Sequence, residues 1–312
     1  MAQTFFPIDP VNKTPGAIAW QDVDCSANIP SGATGVILHY THDYDADALY
    51  AFGLRKNGST DNRIGDTGRY DHLWAMIGVD ANRIFEVYLE NLTYQRIYLV
   101  GYTMSGATFF TNAYDKSLST YGAWTDIDCS TEAPSAIALI FEHDQGNNYN
   151  KTCGYRKNGS TDARQGIWAR HSGFGQTWGC DANQIVEAYV SDSYCDTFLL
   201  GYITDGITTY TNAIDYSLGT INTWLDLTAL PVTAVMGCFE LASPSYDYRD
   251  GFRKNGSAEN IVRNTNAKYQ AIVECDANRL TQGYITNLDV DFWLVWYATA
   301  PPVGRSFGYI IG

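Results

Sequence analysis

The chain carries the same short motifs three times, in the same order and at nearly constant spacing. The tetrapeptide Arg-Lys-Asn-Gly occurs at 55–58, 156–159 and 253–256, and the tripeptide Asp-Ala-Asn occurs at 80–82, 181–183 and 276–278. A Trp-x-Asp motif opens at Trp20, Trp124 and Trp224, so successive copies lie 104 and 100 residues apart. Solenoid units are shorter than this, whereas a small independent domain has about 100 residues. The repeats therefore predict three small domains in one chain.

The segment that leads into each tryptophan is repeated as well. Thr4, Thr108 and Thr208 each stand 16 residues before the tryptophan of their copy. We therefore divide the chain into repeats at 1–107, 108–207 and 208–312, each a linker followed by a domain. The linkers keep their length and contain apolar residues, so we expect them to pack against the domains rather than to swing freely.

Composition and periodicity favour strands over helices. Only 17% of the residues are charged, against about 25% in a typical soluble protein, and the 23 tyrosines and many threonines suit strands. After each Asp-Ala-Asn comes an alternating segment, such as Ile84, Glu86 and Tyr88 on one face. The prediction is an all-β protein made of three tandem repeats of a small antiparallel β-sandwich or jelly-roll-like domain. An up-and-down barrel is the alternative.

The Arg-Lys-Asn-Gly motif is the first candidate for a contact site. Asn-Gly predicts a type I′ hairpin turn, in which both central residues have positive φ. The basic side chains beside it are either solvated, paired with a neighbouring acid, or part of a contact site that is used three times, since arginine grips carboxylates with two hydrogen bonds. The candidate residues are Arg55, Lys56, Asn57, Arg156, Lys157, Asn158, Arg253, Lys254 and Asn255.

The remaining repeated residues suit structural roles. Asp80, Asp181 and Asp276 can accept hydrogen bonds from the backbone two residues on, as Asx-turns do, and Trp20, Trp124 and Trp224 complete the structural signature. Asp43, Asp45 and Asp47 alternate as in a calcium loop, but neither the glycine nor the distal glutamate of an EF-hand follows them. We interpret them as a solvated acidic loop and expect no metal and no cofactor.

The sequence offers little for catalysis. None of the five histidines occupies a position shared by all three copies, and the motifs HExxH and GxSxG are absent. Cys25 and Cys129 match Ala229, and Cys180 and Cys275 match Val79. Because small apolar residues replace the cysteines in other copies, we interpret the cysteines as small buried apolar residues and free thiols. We therefore expect a protein that is not an enzyme.

The net charge and the first residues of the chain limit the classes of partner and the compartment that we expect. The net charge of −14 disfavours nucleic acid and anionic membrane surfaces. The first residues have no basic region followed by an apolar one, so we expect no signal peptide and synthesis in the cytoplasm. The third copy has Trp296 where the others have glycine, which predicts an unequal environment for that repeat.

The segments 79–103 and 180–204 resemble tandem β-sandwich modules in bacteriophage head-surface and tail proteins. The resemblance implies a virion structural role, with the major capsid protein or another virion protein as the partner, and it assigns no site residues. We expect a capsid decoration protein that docks on a larger lattice through repeated turns or strand edges. The alternative is a multivalent carbohydrate-binding adhesin or tail protein, in which three copies bind a glycan with avidity. A glycan hydrolase is the least favoured class.

Overall fold

The computed structural model describes residues 3–43, 49–67, 71–145, 151–168, 175–245, 248–264 and 268–300, and within these residues all regular structure is β-strand. None of the described residues belongs to a helix with the length and apolar character to cross a membrane. The all-β prediction is confirmed.

Within the described residues each repeat contributes eight strands, at matching positions in the three copies. The first repeat holds β1 Phe5–Asn12, β2 Trp20–Asp24, β3 Gly35–His42, β4 Tyr50–Lys56, β5 Gly65–Thr67, β6 His72–Gly78, β7 Ile84–Leu89 and β8 Gln95–Thr103. The second holds β9 Ala107–Asp115, β10 Trp124–Asp128, β11 Ala138–Gln145, β12 Lys151–Lys157, β13 Gly166–Trp168, β14 Gln176–Gly179, β15 Ile185–Val190 and β16 Cys195–Ile203. The third holds β17 Ile207–Asp215, β18 Leu225–Asp226, β19 Ala234–Ala242, β20 Arg249–Lys254, β21 Arg263–Asn264, β22 Lys268–Glu274, β23 Thr281–Ile285 and β24 Asp291–Thr299.

The strands form six four-stranded antiparallel sheets, two from each repeat. In the first repeat the strand orders are β1-β8-β3-β6 and β2-β7-β4-β5, and the other repeats follow the same two orders. The six small sheets are arranged as the blades of a six-bladed β-propeller, so the prediction of three tandem β-sandwich or jelly-roll-like domains is wrong. The physical reason is that apolar faces of different repeats pack on one another: a single buried cluster runs from Phe5 to Ala298.

The repeats meet around a centre to which each contributes one strand. These strands are β6, β14 and β22, and each contacts the other two. Trp296 of the third repeat is fully buried here, where its ring lies 5.4 Å from that of Phe5 and its indole N–H donates to the Thr177 carbonyl at 3.3 Å. Trp296 thus has the unequal environment that the sequence predicts, because it lies where all three repeats meet.

The linkers pack as the sequence predicts. Asn112, in the linker of the second repeat, accepts hydrogen bonds from the Ser59 hydroxyl and the Thr60 N–H of the first repeat, both at 2.9 Å. Asn212 does the same for Ser160 and Thr161, at 2.8 and 2.9 Å. The linkers of the second and third repeats therefore each fix their own repeat to the one before it.

Candidate functional site

Each tryptophan of the repeated signature forms a cluster with the arginine of Arg-Lys-Asn-Gly. In the first repeat the Arg55 guanidinium lies 4.2 Å above the Trp20 ring and makes two hydrogen bonds to Glu86, at 2.9 and 2.8 Å. It also donates to the Asp61 carbonyl at 2.6 Å. The other copies repeat this with Arg156, Trp124 and Glu187, and with Arg253, Trp224 and Gln282. Pairing with a neighbouring acid is confirmed in the first two copies, and docking through these arginines stays a prediction.

The Asn-Gly turns are tight, but their type differs from the prediction. The Ser59 N–H donates to the Lys56 carbonyl at 3.1 Å, which closes a four-residue turn. Gly58 has a φ of 80°, as do Gly159 and Gly256, whereas the asparagines before them do not have positive φ. Positive φ at the third residue alone is what a type II turn requires, so the type I′ prediction is wrong.

The Asp-Ala-Asn motif is bound to this turn. Asp80 accepts the N–H groups of Asn82 and Ile84, at 2.8 and 2.9 Å, and its second oxygen accepts the Asn57 side-chain amide at 2.8 Å. Burial alone would raise the pKa of Asp80, but these hydrogen bonds together outweigh it and lower the pKa. Asp181 and Asp276 make the same three contacts. The predicted Asx-turns are confirmed, and Asn57, Asn158 and Asn255 are structural partners of these acids.

The lysines of the motif contact the next linker in two copies. Lys56 donates to the Phe109 carbonyl at 3.0 Å, and Lys157 donates to the Thr209 hydroxyl at 3.2 Å. In the third copy Lys254 instead pairs with Glu274 at 2.6 Å. The first two lysines therefore hold neighbouring repeats together, and the third interface is built differently.

Buried ion pairs also join successive repeats. Arg63 of the first repeat bonds Glu142 of the second at 2.7 Å, and Arg164 of the second bonds Glu240 of the third at 3.2 Å. Burial raises the pKa of Glu142 to about 8, although Arg63 opposes the shift. The residue of the first repeat that matches Glu142 and Glu240 is His39. Each of the three pairs with the aromatic residue that precedes a leucine in the last strand of its repeat. Sequence reasoning missed these residues because their identity is repeated in only two of the three copies.

A cavity of about 300 Å³ lies where the third repeat meets the first. Here Asp9 and Pro10 replace Asn112 and Ala113, so the linker lacks the side-chain amide and the backbone N–H that bond the preceding repeat at the other two interfaces. The cavity is also lined by Glu259, whose pKa is raised by burial and by the Asp9 carboxylate. Two carboxyl groups, those of Asp9 and Glu259, thus stand where the other interfaces have complementary hydrogen bonds.

His39 and Trp74 line the same cavity and belong to a buried polar network. The His39 ring stacks on Trp74 with centroids 3.8 Å apart, and its Nε2 lies 3.5 Å from Nδ1 of His72. Nε2 of His72 lies 3.0 Å from Asp250 Oδ1 and 2.8 Å from the Tyr269 hydroxyl, which also donates to Asp250. Because each of these side chains is at most 5% exposed, their hydrogen bonds join the first repeat to the third rather than meet solvent.

His39 makes the stability of this interface depend on pH. Burial, then the charges of His72 and Arg263, hold the pKa of His39 well below its ordinary value. The unfolded chain takes up a proton at this residue below about pH 6.5 while the folded chain does not, so stability is lost as the pH falls. We expect the wild-type protein to lose up to about 1.4 kcal/mol per pH unit below that value relative to His39→Gln. Urea unfolding of both proteins between about pH 7.5 and pH 5.5 measures the difference.

The comparison with His39→Gln separates this effect from other titrations, because both proteins keep Glu142 and every other acid. Parallel stability profiles for the two proteins would contradict the assignment to His39.

A second buried cluster lies in the second repeat, and sequence reasoning missed it. The Cys153 and Cys195 sulfurs are 3.0 Å apart, and with a His143 ring nitrogen all three donor atoms lie within 4.8 Å of one another. The Cys153 thiol donates to Cys195 and, with His143, lowers the pKa of Cys195 to about 5 against the effect of burial. Burial raises the pKa of Cys153. Comparison of the three copies position by position would have found the cluster.

Of the three aspartates in the acidic loop, the structure describes Asp43. Asp43 pairs with Arg263 of the third repeat, with its Oδ1 2.7 Å from the arginine Nε. Asp45 and Asp47 lie outside the described residues. The Asp43 carboxylate therefore serves the same third-to-first interface.

Exposed apolar side chains recur in one connection of every repeat, between its first and second strands. Ile18 is 59% exposed, Tyr121 is 43% exposed and Ile221 is 41% exposed. Tyr114 and Ile214, at matching positions near the ends of the linker strands, are also exposed. Single exposed apolar residues are common, but the same connection exposing one in each repeat is a threefold pattern.

Comparisons of the chain with protein-family models, with curated proteins and with solved structures found no match.

Proposed function

We propose that this protein is a non-enzymatic structural protein of a virion, most specifically a decoration protein that docks on a capsid lattice. The observation that carries the proposal is the threefold set of exposed apolar side chains, Ile18, Tyr121 and Ile221. Three repeats closed around a centre imitate a homotrimer, and symmetric assemblies offer threefold positions to such a shape. The partner is the major capsid protein or another virion protein.

The docking surface we propose is the set of linker connections, not the repeated turns. The arginines of the turns already bond Glu86, Glu187 and Gln282, and the asparagines bond the Asp-Ala-Asn acids. The exposed apolar residues, in contrast, face solvent and gain from being covered, by about 25 cal/mol for each Å² of apolar surface. Three such contacts in one chain act together, because the second and third form at high effective concentration.

The carbohydrate-binding alternative needs an aromatic side chain exposed at the same place in all three copies. Among the described residues, the large aromatic side chains that are well exposed are Tyr114, Tyr121 and Tyr194, all in the second repeat. Trp20, Trp124 and Trp224 share a position, but an arginine guanidinium covers a face of each ring. These observations favour the decoration proposal over the adhesin.

The test is binding to particles of the virus that encodes the chain. We expect the protein to copurify with intact particles, and we expect the purified chain to co-sediment with particles that lack it. The triple variant Ile18→Ser, Tyr121→Ser, Ile221→Ser should stay folded, because exposed substitutions change stability by only about 0.5 kcal/mol each, and should lose co-sedimentation.

The matched control replaces exposed apolar residues elsewhere, in the double variant Val232→Ser, Leu288→Ser, which should bind as the wild type does. Equal binding of the triple variant would remove the linker connections from the contact. Absence of the protein from particles, together with binding to a defined glycan, would replace the proposal with the adhesin.

A further inference from the structure

The His143, Cys153 and Cys195 cluster combines three donors on three different strands. His143 lies on β11, Cys153 on β12 and Cys195 on β16, so the two sheets of the second repeat bring the donors together. None of the three side chains is more than 2% exposed. Each donor lies on a strand that is paired at that residue with a neighbouring strand, so the sheets hold the donors in place.

The other two repeats show that the fold does not require these residue types. The positions of His143, Cys153 and Cys195 are identified by strand register and by their distance from the repeated arginine and the leucine of the last strand. The matching residues are Tyr40, Phe52 and Gln95 in the first repeat and Leu241, Asp250 and Val290 in the third. One interior location thus carries three unrelated sets of side chains, and only the second repeat places sulfur and imidazole donors together there.

We propose that His143, Cys153 and Cys195 bind one zinc ion. Imidazole and thiolate are the donors that zinc prefers in proteins, and a His-Cys-Cys set leaves one of its four positions for water or another small ligand. Two thiolates and a neutral imidazole balance the charge of a divalent cation, which is what a buried site needs because an uncompensated charge there is costly.

The surroundings of His143 support the assignment. The Tyr155 hydroxyl lies 2.9 Å from His143 Nδ1 and 2.6 Å from the Thr197 hydroxyl, and Tyr155 is itself buried. A hydrogen-bonded partner on one ring nitrogen fixes the orientation of a histidine ligand in known metal sites. The inference does not depend on the virion proposal, because it concerns a single repeat and needs no partner.

The experiment is metal binding by the full chain. Purified protein is reduced, treated with a chelator, desalted and titrated with Zn²⁺ in competition with a chromophoric chelator, and in parallel with Co²⁺. We expect one equivalent of zinc per chain, a thiolate-to-cobalt charge-transfer band, and a higher melting temperature with zinc than with chelator. Cys153→Ser and Cys195→Val should lose the equivalent, the band and the thermal shift.

Two of the variants should fold, because the residues that they introduce already occupy the matching positions in the third repeat. Each of two variants installs the residue type of the third repeat at the matching position: valine for Cys195, as in Val290, and leucine for His143, as in Leu241. The matched control is Cys129→Ala, which shortens another fully buried cysteine of the same repeat and should keep the metal. Far-UV circular dichroism verifies the fold of each protein.

Two results would overturn the proposal. One is the absence of stoichiometric zinc and of the cobalt band in the reduced wild-type chain. The other is undiminished binding in folded Cys195→Val or His143→Leu.

Discussion

Replacing Glu240 with glutamine is expected to lower the free energy of unfolding by about 3–5 kcal/mol, since it breaks a buried ion pair by removing one partner. Glu240 is fully buried between the second and third repeats, 3.2 Å from Arg164 Nη2 and 2.5 Å from Lys268 Nζ. Lys268 is 2% exposed, and burial lowers its pKa while Glu240 opposes that shift. The variant leaves two cations without their shared counter-charge. Equilibrium unfolding in urea measures the loss.

A surface pair supplies the control for Glu240. Glu132→Gln removes the partner of Lys116, where both side chains are partly exposed, and should cost no more than about 1 kcal/mol. The double variant Glu240→Gln, Lys268→Met should recover part of the stability, because it also removes one of the stranded cations. Equal losses for Glu240→Gln and Glu132→Gln would show that the buried pair does not hold the repeats together.

Replacing Trp296 with alanine is expected to cost about 3–5 kcal/mol through the cavity that it leaves. Trp296 is fully buried where the three repeats meet, against Phe5 of the first repeat and the Thr177 carbonyl of the second. Gly101 and Gly201 occupy the matching positions, so no other copy supplies a side chain to fill the space. The loss should appear in the unfolding midpoint and in faster hydrogen exchange of β6, β14 and β22, the strands of the centre.

The control for Trp296 is Ile18→Ala, which shortens an exposed side chain and should change stability by no more than about 0.5 kcal/mol. A Trp296→Ala protein as stable as this control would show that the centre is not tightly packed. Faster exchange confined to the third repeat would show instead that Trp296 stabilises its own repeat only.

The candidate sites contain two kinds of residue, those repeated in every copy and those found in one copy only. The repeated residues were visible in the sequence, and the structure uses them inside each repeat or between a repeat and the next linker, as with Asp80 and Asn57. The residues with unusual chemistry, His39, His143 and Cys195, were passed over because each differs from its counterparts. A search for identity finds what every copy shares, whereas a site in one copy consists of what the others lack.

The sequence by itself determined the local structure of this protein. Alternating residues such as Phe85, Val87 and Leu89 form strands with one buried face, and the Asp-Ala-Asn and Asn-Gly segments form tight turns, because these features depend on neighbours in sequence. Only the tertiary structure decided that the six sheets form one propeller, and it did so through contacts between residues far apart, such as Phe5 with Trp296 and Arg164 with Glu240. Repeat identity specifies what one unit buries within itself. The faces between units are specified by shape and charge complementarity of residues that lie far apart in the sequence, some shared by two interfaces and absent from the third, and no local pattern encodes that pairing.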